Sequence, residues 1–162
     1  MKRNRKEKAR KLHMIRLWTY PQARKALPYL RSVTQSLRDV WLEAQNKRLE
    51  VDRLARRPGR PNRSAILQNE RALAERTDAE DRFNDALSEL MSIDVYLLDP
   101  VGGVVFVPFK KGEELAWFVF DLFDSEQIKN WRLHEDPLEM RRPIDDQILK
   151  DETINPAEAV GA

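Results

Sequence analysis

Arg57-Pro58-Gly59-Arg60-Pro61 is the stretch that decides the fold. Two prolines interleaved with a glycine end any helix that reaches them, because proline lacks an N–H and clashes with the preceding turn. On the upstream side, apolar residues recur at three- and four-residue spacing: Leu30, Val33, Leu37, Val40, Ala44, then Lys47, Val51 and Leu54. Seven of these eight heptad positions are apolar or alanine, which predicts a helix over 27–57. At ~1.5 Å per residue it is on the order of 45 Å long. Downstream, Asn62 or Ser64 caps a second helix running to about Ser92, in which Ala65, Ala72, Ala79 and Ala86 repeat every seven residues beside Ile66, Leu73 and Leu87, with Phe83 and Leu90 completing the face. Small residues at that spacing let two backbones approach closely, and a tight Pro-Gly loop makes the pair an antiparallel hairpin. Folding about residue 60 brings Leu30 to Leu90, Val33 to Leu87 and Leu37 to Phe83, with Lys47, Asn69, Arg76 and Glu80 making the seam polar near the loop.

Outward from the hairpin, Thr19-Tyr20-Pro21-Gln22 has the form of a helix start, with a Thr cap, Pro in the first turn and Gln at the capping-box position. Pro28 then interrupts or restarts that helix at Leu27. After Ile93 the period changes to two. Val95–Leu98, Val104–Phe109 and Leu115–Phe123 are predicted strands joined by turns at Asp99–Gly103 and Lys110–Glu113, a three-stranded antiparallel meander. Pro108 predicts an irregular or bulged end to the middle strand. The third strand is apolar on both faces, with Leu115, Trp117, Val119 and Phe123 alternating with Ala116, Phe118, Phe120 and Leu122. A hairpin covers one face only, so the second calls for a symmetry-related copy, the segment around Trp131 or the residues around Trp18. Two-fold closure makes a homodimer the expected solution, with Trp117, Phe118, Phe120 and Leu122 as its surface. A short helical turn is expected from Asp124 to Trp131, a closing segment over 132–145, and an acidic, disordered tail over 146–162, without order from about Gln147. The expected class is therefore α+β: one domain over 17–145, made of a hairpin (17–94) and a meander with its helical turn (95–131), preceded by a basic arm over 1–16.

The chain has 162 residues, and 35% of them are charged, yet the formal net charge is only +2. Residues 1–16 carry eight cations and one acid, a net +7, while residues 144–162 carry a net −4. A second basic cluster sits at Arg53, Arg56, Arg57, Arg60 and Arg63. With no cysteine there is no disulfide framework, thiolate metal site or cysteine nucleophile. No apolar run has the ~18–20 residues of a membrane span, and no apolar stretch follows the basic arm as in an export signal, so a cytoplasmic protein without membrane contact is expected. His134-Glu135-Asp136 is the one cluster with general-base or ligand types, but three adjacent residues do not converge on one ion, and a solvated loop is the default. Asp121 lies in an apolar strand and calls for a partner, with Arg141 or Arg142 as candidates. No catalytic residue, cofactor or metal is assigned. Gly102-Gly103 lacks the spacing of a nucleotide loop.

Thr19-x-x-x-Ala23-x-x-x-Leu27-Pro28-x-Leu30-Arg31, Glu126-Gln127-Ile128-Lys129-Asn130-Trp131 and Arg141-Arg142-Pro143-Ile144 together resemble the bacterial family called domain of unknown function 2203, over roughly residues 17–145. The resemblance implies a long helical hairpin followed by a short β segment, and it supplies no activity. Arg132 stands where the family pattern has a histidine. Two readings of function follow. The first is a non-enzymatic, dimeric interaction or structural module. The second is a nucleic-acid or ribosome-associated protein that contacts phosphates through Lys2, Arg3, Arg5, Lys6, Lys8, Arg10 and Lys11 of the arm and Arg57, Arg60 and Arg63 of the hairpin tip.

Overall fold

The computed structural model describes residues 15–124 and 126–151. The rest of the basic arm and the end of the acidic tail lie outside the described residues. Helix α1 (Tyr20–Lys25) begins at a complete capping box: Thr19 Oγ1 accepts the Gln22 N–H at 3.3 Å, and Gln22 Oε1 accepts the Thr19 N–H at 3.1 Å. Pro28 restarts the chain as α2 (Leu27–Ala55), and Asn62 caps α3 (Arg63–Ser92) by accepting the Ala65 N–H at 2.8 Å. The two long helices are antiparallel. Tyr29–Glu89, Trp41–Phe83, Arg48–Glu80 and Arg57–Gln68 all join residues whose numbers sum to between 118 and 128. Ala72 and Ala79 are buried on the seam, as the heptad alanines require. Ile66 and Leu73, expected beside them, are exposed, because two helices alone have no third layer to cover positions flanking the seam. No described helix is long and apolar enough to cross a membrane.

The sheet has five antiparallel strands in sequence order rather than three: β1 (Tyr96–Asp99), β2 (Val104–Lys111), β3 (Glu114–Asp121), β4 (Asn130–Leu133) and β5 (Arg142–Pro143). The expected helical turn ending at Trp131 is strand β4, which pairs Phe118 with Trp131 and Trp117 with Arg132. Pro108 makes no bulge; β2 and β3 stay in register from Val104 to Lys111, and the irregularity lies between Leu97 and Asp99 of β1. The reason is directional. A strand residue points its N and O to the same side, and Pro108 O accepts the Trp18 N–H at 2.7 Å, away from β3. The expected disorder from Gln147 gives way to a further helix, α4 (Asp146–Asp151), whose Ile148 is buried in the core.

The two faces of the sheet are covered by different means. Val105, Val107, Phe109, Phe118 and Phe120 pack with Leu30, Leu37 and Leu90 of the hairpin, joined by Trp18, Trp131 and Ile148. Tyr20 meets Phe118 edge-on at 5.7 Å, and Phe118 stacks on Phe109 at 3.9 Å. On the opposite face Val104, Phe106, Trp117 and Val119 are buried beneath Tyr96, Leu98 and Leu115, with the Arg132 guanidinium 5.1 Å from the centre of the Phe106 ring.

Helix α3 ends in a Schellman arrangement: the Asp94 N–H reaches Met91 O at 3.0 Å, and the Val95 N–H reaches Leu90 O at 3.3 Å. Asp94 takes the left-handed position usually given to glycine, with φ 58°. Its carboxylate accepts the Arg16 N–H at 2.8 Å, which ties the chain leading from the basic arm to the base of the hairpin.

Two glycines at positive φ separate backbone strain from crowding. A Cβ at Gly103 (φ 67°) would lie 2.7 Å from Leu122 Cβ, whereas a Cβ at Gly59 (φ 90°) meets nothing within 4 Å. In urea unfolding, Gly103→Ala is expected to cost about 2–3 kcal/mol and Gly59→Ala about 1 kcal/mol. Equal losses would mean that the β1–β2 turn relaxes away from Leu122.

Candidate nucleic-acid interface

The tip of the hairpin is built by the breaker sequence. Arg56 closes α2, its N–H reaching Asp52 O at 3.2 Å; Gly59 reverses the chain at φ 90°, and Asn62 opens α3. The five arginines of residues 53–63 are all exposed, with no acidic residue among them. Among the described residues none of the five is in an ion pair, and Arg57 donates from Nη1 to the neutral Gln68 at 2.9 Å. A cleft of about 480 Å³ runs between the loop and the first turn of α3, bordered by Arg57 and Arg60.

The shaft below is handled differently. Lys47 meets Glu75 at 2.6 Å, Arg71 meets the same carboxylate at 3.1 Å, Arg48 meets Glu80 at 2.8 Å, and Arg82 joins Glu43 and Asp78. Hydrogen bonds from Lys47 and then Arg71 hold the Glu75 carboxyl below its ordinary range, and Arg82 does the same for Glu43. Arg76 and Glu80, one turn apart on α3, lie at 3.9 Å. Lys47, Arg48, Arg71 and Arg82 of the shaft are thus neutralised in place, and the tip cations are not.

Helix electrostatics explain only part of the tip. Arg53, Arg56 and Arg57 sit at the C-terminal end of α2, where cations are favoured. Arg60 precedes and Arg63 opens α3, whose N-terminal end favours anions, and the first turn of α3 holds no acid. Arg60 and Arg63 therefore add repulsion that nothing within the described structure relieves. Arg53 and Arg56 belong with Arg57, Arg60 and Arg63 as candidate contacts. They stand in the same sequence cluster and differ only in lying on the last turn of α2.

The other candidates are dispersed or structurally engaged. Phe118, Phe120 and Leu122 face the helices and are buried by the chain's own residues, so a second copy has no access to them; Trp117 lies on the opposite face, also buried. Trp117 donates its indole N–H to His134 Nδ1 at 3.1 Å, beside an open cleft of about 230 Å³ bordered by Glu114, Leu115 and Glu135. Asp136 does not join His134 at a site. Its carboxylate takes two hydrogen bonds from Arg142, at 2.7 and 2.9 Å, and one from the Leu133 N–H at 2.9 Å. Arg142 is therefore not the partner of Asp121, nor is Arg141, which donates to the Leu138 and Met140 carbonyls. Asp121 instead accepts the Phe123 N–H at 2.9 Å and caps the end of β3. Among the described residues no group of His, Asp and Glu is arranged to hold a metal ion. Lys2, Arg3, Arg5, Lys6, Lys8, Arg10 and Lys11 lie outside the described residues.

These features define the class of protein: a long helical hairpin with a cationic tip, seated on a small antiparallel sheet. The chain belongs to the family of uncharacterized conserved proteins called DUF2203, whose model matches residues 16–144. Neither a curated protein nor a solved structure matches it.

Asp136 gives the base a pH signature. Its hydrogen bonds with Arg142 lower its pKa from 3.8 to about 2, so its contribution to stability is present above the unfolded value and fades as pH falls from about 4 to about 2. Asp136→Asn removes that contribution. Between pH 4 and 2 the variant's stability, followed by urea midpoint, should fall less steeply than that of the parent. Parallel curves would place the acid sensitivity elsewhere.

Proposed function

We propose that the protein is a non-enzymatic binding module that holds nucleic acid by its phosphate backbone, using the tip of the hairpin. One observation carries the reading: five exposed arginines, none in an ion pair among the described residues, crown a shaft on which Lys47, Arg48, Arg71 and Arg82 are paired with carboxylates. Guanidinium groups are suited to phosphate because they donate in a planar fork and keep their charge at any physiological pH. The binding is sequence-independent in this reading, since contacts from guanidinium groups to phosphates carry no information about the bases. A homodimer built on the sheet is not the favoured reading, because Phe118 and Phe120 are already covered.

The test is fluorescence anisotropy with a labelled 20-base-pair DNA duplex. If all five arginines contact phosphates, counterion release predicts that affinity falls on the order of 10²–10³-fold between 50 and 200 mM salt. Replacing Arg53, Arg56, Arg57, Arg60 and Arg63 together with glutamine should lower affinity at least tenfold at 50 mM salt, with helix content unchanged by circular dichroism. Salt-insensitive binding, or a variant that binds as the parent does, would remove the tip from the function.

A further inference from the structure

We propose that the hairpin docks against a second copy of the chain, antiparallel about a two-fold axis, so that the tip of each copy rests on the sheet edge of the other. The inference stands apart from the nucleic-acid reading and concerns the same tip when no phosphate occupies it.

The two flanks of the hairpin differ. Gln68, Glu75, Arg82 and Glu89 follow one another at seven-residue spacing along one flank of α3, and each is bonded to a polar side chain across the seam. Along the other flank the same spacing gives Ile66, Leu73, Glu80 and Leu87. Leu87 packs against the core beneath the sheet, whereas Ile66 and Leu73 are exposed. On α2, Arg38, Trp41 and Arg48 succeed one another at three- and seven-residue spacing on the side facing this flank, where Arg48 pairs with Glu80 at 2.8 Å. The apolar flank is thus covered where the sheet reaches it and bare beyond.

Where the sheet stops, it leaves a second bare apolar patch. Phe123 is 64% exposed and Val101 47%. Arg38 donates to Val101 O at 3.0 Å and its guanidinium lies 5.1 Å from the centre of the Phe123 ring, which places both beside α2. Three carboxylates gather around this one arginine: Asp99 and Asp121 flank Val104 in the strand register, and Asp124 is exposed next to Phe123. Sheet edge and tip are therefore opposite in charge, and each lies beside exposed apolar side chains. They cannot meet within one chain, because Arg57 is nineteen residues beyond Arg38, about 28 Å along the hairpin. Every copy carries both halves, so a second copy closes the contact twice, as two-fold symmetry requires. Arg48 lies midway, ten residues after Arg38 and nine before Arg57. An axis through the Arg48–Glu80 pair sets Arg48 of each copy near Glu80 of the other. Leu73 and Leu87 are each seven residues from Glu80, so the same axis sets Leu73 of one copy on Leu87 of the other. A docked tip turns its arginines to carboxylates, so a duplex and a second copy compete for it.

The experiment follows the mass of the 162-residue chain by sedimentation equilibrium at 50 and 500 mM salt. A dimer is expected at 50 mM, with a dissociation constant at least tenfold higher at 500 mM, where exposed charges are screened. Phe123→Ser and Leu73→Gln, both at exposed positions, should each raise the dissociation constant at least tenfold at 50 mM salt. Leu138→Ser, at an exposed position between β4 and β5, should leave it unchanged. The chain has no cysteine, so Ser64→Cys takes a single spin label. Ser64 is sixteen residues from Glu80, about 24 Å, so the two labels of the dimer should stand about 48 Å apart. A monomer at 50 mM salt, a dimer whose labels lie side by side, or equal effects of Phe123→Ser, Leu73→Gln and Leu138→Ser overturns the inference. Anisotropy with the 20-base-pair duplex separates it from the function proposed above: Phe123→Ser should bind the duplex at least as tightly as the parent, and the five-arginine variant should lose both contacts. A monomeric parent that binds the duplex removes the dimer and keeps the nucleic-acid reading. A dimer as described that binds no duplex does the reverse.

Discussion

The base of the molecule depends on a buried cation. Strands β2 and β3 are apolar on both faces, and the helices can cover only one. On the other face the Arg132 guanidinium lies over the Phe106 ring, and Arg132 is 4% exposed. A planar, weakly hydrated guanidinium can lie against an aromatic ring at a cost that an ammonium group would not escape so easily. Burying its charge still requires acceptors; the His134 and Asp136 carbonyls accept from Nη2, while the buried Nε has no acceptor. Asp136 is in turn fixed by Arg142 of β5. Strand β4, the turn after it and the two-residue β5 thus act together to hold one side chain in place. Arg132 thus has a structural use, which is to help cover the back of the sheet.

The same dependence explains what was legible in the sequence. The hairpin was readable because its signals are local: heptad alanines, a Pro-Gly breaker and a capping Asn lie within a few residues of the structure they specify. Strands β2 and β3 were readable as continuous apolar runs. Asn130-Trp131-Arg132-Leu133 was not, because a strand that alternates Trp with Asn and Arg has no apolar signal until its pairing with Ala116–Val119 is known. The role of Arg132 was hidden for the same reason; only the position of Phe106 across the sheet makes it a cover. The covering of Phe118 and Phe120 was hidden for the same reason, since β4 brings Trp131 beside Phe118. With three strands an apolar face stays open, whereas with five, and with Trp18 and Ile148 added to the helical side, both faces are closed.

At the candidate site the residue types were legible and their distinction was not. Arg53 to Arg63 and the basic residues of the shaft look alike in composition. Cross-seam partners distinguish them. Lys47, Arg48 and Arg82 find Glu75, Glu80 and Glu43 at separations of 28 to 39 residues, which no local pattern reveals. The tip arginines lie where the seam ends, and the partner that Arg57 finds across it is the neutral Gln68.

That position also decides how the protein's charge is felt. A net +2 spread over a sphere would give a weak field. Here the charge lies along a rod, and mobile ions at physiological strength screen exposed charges over about 8 Å. Asp78 is fifteen residues along α3 from Arg63, or about 23 Å, so the acids near the base do little to offset the arginines at the tip. A phosphate approaching the tip meets five positive charges and not the balance of the whole chain. Near-neutral composition and local attraction are compatible because the shaft pairs Lys47, Arg48 and Arg82 with carboxylates while the arginines of residues 53–63 form no ion pair, even with exposed Asp52 and Glu70 flanking them.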